Sequence, residues 1–267
     1  MQRASVLATR AVGRHFGELF PFYYVMEYPK SGGSWLSDMI ADYLQIPRPV
    51  MPVFPVGFTA VLHGHWDYSP RYRRVFYLYR DGRDVAVSMY FRVIHEMRNP
   101  HFRVATQYYA KRFPELATLN SDADDIRAQL PVFLRRLGST SAGTRFNWAQ
   151  HVSQWAFDRP HVVPVSYEEL LSDPEETLGR IIPLHSGEPV VPERLAATVA
   201  KYSFEAQTGR KPGSEVRGAF IRKGVAGDWR NHFSREAGEA FDTTFGDILV
   251  RLGYEPDRNW YQKLPDS

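Results

Sequence analysis

Four short stretches of this chain carry residues suited to holding and moving charge. The first is Lys30-Ser31-Gly32-Gly33-Ser34-Trp35. Its two glycines allow a tight loop and close approach of backbone N–H groups to an anion. Lys30 adds a mobile cation, and Ser31 and Ser34 add hydroxyl donors. The second is His63-Gly64-His65, two imidazoles at i and i+2, the side chain that takes up or releases a proton near neutral pH. The third, RDGRDVAVS, sets the Arg80 guanidinium eight residues before the Ser88 hydroxyl. The fourth is Arg222-Lys223-Gly224, two cations and a glycine that follow the polar, glycine-bearing stretch 207–218. Such a set fits an anionic ligand gripped at two places with a base beside it. As metal ligands the two histidines lack company, because no third His, Cys, Asp or Glu is arranged nearby as a zinc site requires.

The flanking residues show how these groups are positioned. The aromatic and β-branched run 22–28 (FYYVMEY) predicts a buried strand, and Trp35, Leu36, Met39, Ile40, Tyr43 and Leu44 recur at helical spacing from about Ser34. Strand, glycine loop and helix together turn free N–H groups and the positive end of a helix toward an anion. A short strand is expected at 59–62, a clear buried strand at 73–79 (RRVFYLY) and another at 161–165, each ending at one of the charged groups or at Tyr167. Helices are expected at 103–113, 124–137, 146–157, 191–200 and 234–254, with another starting at Asp173-Pro174, where Pro and two glutamates suit a first turn. Trp148, His151, Val152 and Trp155 share a face of the 146–157 helix and read as core packing. The prolines of 47–55 break regular structure, and 118–122 and 139–144 read as connectors.

Composition bounds the answer. With 267 residues, 43% hydrophobic and 24% charged, the chain fits one large α/β domain, with 92–145 as a variable helical region. No cysteine is present, which excludes disulfides and thiolate-ligated zinc. There is no apolar run long enough for a transmembrane segment and no signal-peptide core, so a cytoplasmic location is expected. Residues 1–20 are basic and mildly amphipathic, and an N-terminal helix packed on the domain is expected. The net charge is +3 and the basic residues form no stripe, which argues against a nucleic-acid partner. Only six lysines are present, at 30, 111, 201, 211, 223 and 263, and two of them fall within the charged stretches above.

The order of residues in the first loop separates two classes of enzyme. The nucleoside-triphosphate loop G-x-x-x-x-G-K-[ST] puts lysine after its glycines, with a magnesium-binding hydroxyl next to it. Here Lys30 precedes Gly32 and Gly33. Pro29-Lys30-Ser31-Gly32-Gly33-Ser34-Trp35 resembles the phosphosulfate loop of the sulfotransferases that use 3′-phosphoadenosine 5′-phosphosulfate. RDGRDVAVSMY, beginning at Arg80, resembles the same family's 3′-phosphate motif, and RKGVAGDWRNHF, beginning at Arg222, resembles its second 3′-phosphate motif. The resemblance runs over about 22–240 with its motifs in family order. It implies a three-layer α/β fold with a central parallel sheet like that of the P-loop nucleotide kinases, with His65 as general base and Lys30 opposite the leaving phosphate. It further implies that Ser31, Gly32, Gly33, Ser34 and Trp35 bind the 5′-phosphate and that Arg80, Ser88, Arg222, Lys223 and Gly224 bind the 3′-phosphate. Trp35, Tyr167 and Phe204 would then meet the adenine.

The implied acceptor is a hydroxyl, or less favourably an amine, on a small molecule or a glycan- or lipid-type compound, and no metal is implied. The chain departs from the family in three places. Gly33 stands in place of a threonine, and His63 in place of a lysine. Where some animal members carry a dimer-forming lysine, threonine-valine and glutamate, this chain has Arg230, Ser234-Arg235 and Glu239. Two other readings remain at this point: a P-loop kinase of small molecules, and a non-catalytic protein that binds adenosine 3′,5′-bisphosphate.

Overall fold

The computed structural model describes residues 2–49, 58–118, 126–140 and 142–266. Most of the proline-rich connection at 47–55, the connector at 118–122 after its first residue, and the first residues of the expected 124–137 helix lie outside the described residues. In chain order the elements are α1 (Gln2–Phe16), β1 (Phe22–Glu27), α2 (Gly33–Leu44), β2 (Ala60–Gly64), β3 (Val75–Tyr79) and α3 (Gly82–Arg98). Helices α4 (Arg103–Arg112), α5 (Pro114–Thr118), α6 (Ile126–Ser139) and α7 (Trp148–Trp155) precede β4 (Val162–Ser166). Then come α8 (Tyr167–Ser172), α9 (Pro174–Ile181), α10 (Pro183–Ser186), α11 (Pro192–Lys201), α12 (Phe204–Thr208) and α13 (Arg235–Arg251).

The four strands form one parallel sheet in the order β2-β1-β3-β4, and helices flank it. The fold is therefore α/β, as expected. Side chains alternate across β1 with period two. Tyr23 and Val25 pack with Leu36, Met39 and Ile40 of α2, Leu170 of α8, Leu178 and Ile181 of α9, and Leu195 of α11. On the other face Phe22, Tyr24 and Met26 pack with Trp66, Tyr72, Tyr77 and Trp155 of α7. Burial on both faces explains why β1 and β3 read as continuous apolar runs rather than alternating ones. The N-terminal helix is present, and Arg10 and Arg14 of α1 pair with Asp67 after β2.

Two boundaries differ from expectation for local reasons. β3 begins at Val75, not Arg73, because Arg74 takes φ 53°, a left-handed conformation that cannot continue an extended strand. The stretch expected as a helix over 103–113 ends at Arg112, and α5 starts with Pro114 at its first position, where a missing N–H costs nothing.

The chain divides into two compact units, each made of two stretches. One comprises Met1–Arg80 and His151–Lys211 and contains the whole sheet; the other comprises Asp81–Gln150 and Pro212–Ser267. The second unit has an aromatic core in which Trp148 packs on Phe241 and Phe245, and Trp229 and Phe233 pack near Trp260. The variable helical stretch 92–145 falls entirely within it.

Candidate active site

In the unit that holds the sheet, the loop after β1 is built around two unusual backbone positions. Lys30 takes φ 77°, in the left-handed region that non-glycine residues rarely adopt, a conformation that costs about 1–3 kcal/mol and concentrates at functional sites. Gly32 takes φ 102° and caps the N-terminus of α2. A Cβ there would also lie 2.8 Å from the Tyr167 ring, so both its φ and its space demand glycine. Between them the Ser31 hydroxyl is buried without a hydrogen-bond partner. A buried hydroxyl left unpaired at the start of a helix is the observation expected where an anion belongs.

Around the loop stand the aromatic and cationic groups expected for the nucleotide. Trp35 meets Tyr167 edge-on with ring centres 6.0 Å apart, and its Nε1–H donates to the Tyr202 carbonyl at 2.8 Å. The Arg80 guanidinium lies 4.3 Å from the Tyr167 ring centre and donates to the Lys30 carbonyl at 3.4 Å. Phe204 opens the short helix α12, with the Arg210 guanidinium 5.2 Å from its ring centre. Lys30, Ser31, Gly32, Trp35, Arg80 and Tyr167 are thus brought together in one unit.

The two histidines are placed by the sheet. β2 runs beside β1 with Val25 opposite His63 and Met26 opposite Gly64, and the next step of that register sets Glu27 opposite His65. Nδ1 of His65 lies 3.1 Å from the Glu27 backbone oxygen. A carbonyl only accepts, so Nδ1 carries the proton and Nε2 is left as the basic lone pair. Nε2 of His63 lies 3.0 Å from Glu27 Oε1, and by the same reasoning it donates to that carboxylate. The other carboxylate oxygen of Glu27 accepts from Gly33 N–H at 2.5 Å. Burial opposes the charge on Glu27, but the His63 bond, the two nearby histidines and the Gly33 N–H override it and hold its carboxyl below the usual range.

Glu27 corrects the sequence argument on metal ligands. A third candidate ligand is present, and the ligand atoms of Glu27, His63 and His65 lie within 4.8 Å of one another. The 3.0 Å carboxylate–imidazole separation is hydrogen-bond distance, filled by a proton. Nothing in the spacing of the chain reveals Glu27, which reads there as one more position of an aromatic strand.

His151 belongs to the core, as its helical face implies. Its Nε2–H donates to the Trp66 carbonyl at 3.1 Å, and Nδ1 accepts from the Tyr77 hydroxyl at 2.9 Å. Burial lowers its pKa to about 3, so it stays neutral.

The other unit carries Ser88, half-buried on α3, and the Arg222-Lys223-Gly224 segment. Two aspartates organise that segment, and sequence reasoning missed both. Asp84 of α3 accepts from the N–H of Gly227 at 2.7 Å and of Trp229 at 2.9 Å. Asp228 accepts from Arg222 at 2.6 Å, Lys223 at 2.5 Å, Asn231 at 2.9 Å and His232 at 3.3 Å. Burial works against its charge, yet these four donors hold its carboxyl far below the ordinary range. The backbone also ties in the polar stretch before it, with Gly213 N–H on the Lys223 carbonyl and Val216 N–H on the Arg222 carbonyl.

With this geometry in view, comparison with known proteins is informative. The family model described as the sulfotransferase domain matches residues 68–253, more than half of the chain. Sulfotransferase 2B1 of Homo sapiens is 27% identical over 243 residues, covering 83% of this chain, which spans only 64% of the human protein. The 3-alpha-hydroxysteroid sulfotransferase of Cavia porcellus is 26% identical, with 86% of this chain and 83% of that protein covered. Among solved structures, mouse sulfotransferase complexed with PAP (adenosine 3′,5′-bisphosphate) is similar with TM-score 0.64 and 20% identity, over 98% of this chain and 94% of that one. Retinol dehydratase in complex with androsterone and inactive cofactor PAP is similar with TM-score 0.57 and 18% identity, over 91% and 85% of the two chains.

Proposed function

The chain belongs to the sulfotransferase family, whose donor is 3′-phosphoadenosine 5′-phosphosulfate, and we propose that it uses His65 to pass the sulfuryl group to a hydroxyl of a small apolar molecule. The observation that carries this reading is the bond between His65 Nδ1 and the Glu27 carbonyl, which leaves Nε2 as a base. The ring is about one-third exposed and therefore accessible to an acceptor.

The residues present fit the donor, as the buried, unpaired Ser31 hydroxyl and the cramped Gly32 indicate. When bound, that nucleotide supplies an electrophilic sulfur and departs as adenosine 3′,5′-bisphosphate. Lys30 would set its ammonium against the charge that grows on the 5′-phosphate, while Ser31, Gly32, Ser34 and Trp35 would hold that phosphate, with Gly33 keeping the loop narrow. Arg80, Ser88, Arg222, Lys223 and Gly224 would hold the 3′-phosphate through charge-assisted bonds, and Trp35, Tyr167 and Phe204 would enclose the adenine. His65 Nε2 would take the acceptor's proton as its oxygen bonds to sulfur. A sulfuryl group carries less charge than a terminal phosphoryl group, so fixed donors suffice where a kinase needs magnesium.

The helical stretch 92–145 would supply the acceptor side, and a cytoplasmic location belongs to the same reading. Among the described residues no helix is long and apolar enough to cross a membrane. Support for an apolar hydroxylated acceptor comes from the hydroxysteroid sulfotransferases among the relatives. The test is transfer from 35S-labelled donor to a panel containing androsterone, a simple phenol, an aliphatic alcohol, a sugar and an arylamine. Label on the steroid or phenol supports the reading. Label confined to the sugar or the amine contradicts the acceptor class. Tight binding of adenosine 3′,5′-bisphosphate with no transfer to any acceptor would favour a non-catalytic binder.

A further inference from the structure

Both loop departures from the family pattern, Gly33 and His63, touch one carboxylate. Glu27 Oε2 accepts from Gly33 N–H, and Oε1 accepts from His63 Nε2–H. A Cβ at position 33 would stand 2.6 Å from the Glu27 carboxyl carbon and 2.7 Å from His63 Nε2. No side chain can be added there without displacing the pair. Glutamate at 27 and histidine at 63 therefore form one packed unit that leaves room only for glycine at 33. The carboxylate is buried, with the Glu27 side chain 5% exposed and that of His63 17%. The same glutamate reaches the base twice. Its backbone oxygen fixes the His65 ring at Nδ1, and its Oε1 lies 3.9 Å from that same nitrogen.

From this we infer that Glu27 is a positioning residue for sulfuryl transfer: its buried carboxylate, bonded to Gly33 N–H and His63 Nε2–H and 3.9 Å from His65 Nδ1, stabilises the positive charge that arrives on His65 when the ring takes the acceptor's proton. The inference rests on the reading of His65 as the base. The chemical logic is that of a carboxylate behind a catalytic histidine, which orients the ring and favours its cationic form. Here the orienting contact comes from the backbone and the charge from the side chain of one residue. A buried carboxylate acts more strongly on a neighbouring charge than one in water. His63 has a different part from His65: its Nε2–H helps to keep the carboxylate charged, so it serves the base through Glu27.

The test is a double-mutant cycle on the full chain, with 35S-labelled donor and androsterone, or whichever panel compound is labelled best, as the acceptor. Glu27→Gln removes the charge and keeps the volume. Expected are a kcat lower by about 100-fold, an affinity for adenosine 3′,5′-bisphosphate within about threefold of wild type, and little further loss when Glu27→Gln is added to His65→Ala. A kcat within threefold of wild type would overturn the inference, and so would a loss of equal size in both backgrounds, which a merely structural role produces. Should Glu27→Gln fail to fold, Glu27→Asp, which withdraws the charge by one methylene, goes through the same cycle under the same criteria. A readout free of turnover accompanies it: 15N–1H correlation spectra of the nucleotide-free protein should find His63 protonated on Nε2 and His65 on Nδ1. A His63 ring without a proton on Nε2 would overturn the carboxylate bond itself. Failure of the base reading looks different, since His65→Ala would then turn over at the wild-type rate whatever stands at 27.

Discussion

The guanidinium of Arg80 lies over the face of the Tyr167 ring, 4.3 Å from its centre. Arg80 ends the segment that follows β3 and Tyr167 begins α8 directly after β4, so two neighbouring parallel strands deliver a cation and an aromatic to the same edge. Such stacking contributes about 0.5–1 kcal/mol at a partly exposed site and holds the fork in place before any ligand arrives.

Nucleotide choice follows from that placement. Arg80→Ala and Lys223→Ala should each weaken adenosine 3′,5′-bisphosphate binding by roughly 10- to 100-fold, the worth of one charge-assisted hydrogen bond. The affinity for AMP, which lacks the 3′-phosphate, should change little. Calorimetry on both ligands checks this, and equal losses for the two nucleotides would remove the 3′-phosphate from the roles of these residues.

Asp228 should be a stability residue as much as a site residue. It gathers Arg222, Lys223, Asn231 and His232 with its own side chain only 1% exposed. Asp228→Ala removes the anion that Arg222, Lys223 and His232 share, although Arg222 keeps Glu215, and should cost about 3 kcal/mol in urea unfolding, in line with breaking a buried pair. Added adenosine 3′,5′-bisphosphate should recover part of the loss, because a phosphate can stand where the carboxylate stood.

The polar stretch before Arg222 should tighten with ligand. Gly213 and Val216 are tied by backbone bonds to Lys223 and Arg222, so whatever fixes those two cations also protects the amides. Hydrogen exchange should slow at 213 and 216 when adenosine 3′,5′-bisphosphate is added. Equal exchange with and without it would count against that coupling.

Much of the candidate site was legible in the sequence because its groups sit in contiguous motifs. Lys30 to Trp35 and Arg222 to Gly224 each present their groups within one loop, and Arg80 to Ser88 runs from the end of β3 into the first turns of α3, so spacing alone suggests an anion site. Glu27 and Asp84 were not legible, because their partners come from strand pairing or from distant segments, while Asp228 has partners within six residues but nothing in residue type shows that it gathers them. Glu27 meets His63 only because β2 runs beside β1 in a particular register, and Asp84 reaches Gly227 across more than a hundred residues. The start of β3 was missed because the conformation of Arg74 leaves no mark in residue type.

Acid should unfold the protein through His151. An unfolded histidine takes up a proton near pH 6.5, whereas buried His151 resists protonation to about pH 3. Between those values the unfolded state binds more protons than the folded one, so stability rises with pH and is lost as pH falls. The contribution approaches about 1.4 kcal/mol per pH unit. His151→Gln should be less stable at pH 7 yet show a flatter decline toward pH 4, as measured by urea unfolding at several pH values. A variant whose decline is as steep as that of wild type would assign the acid sensitivity to other groups.

The most direct measurement of the central claim is the turnover of His65→Ala with 35S-labelled donor, made beside its affinity for adenosine 3′,5′-bisphosphate. If His65 is the base, turnover should fall by roughly 10²–10⁴-fold, the range of lost acid–base catalysis, while nucleotide affinity stays within about threefold. A His65→Ala protein that binds nucleotide and transfers sulfate at the wild-type rate would contradict the account, most sharply if His63→Ala were inert beside it.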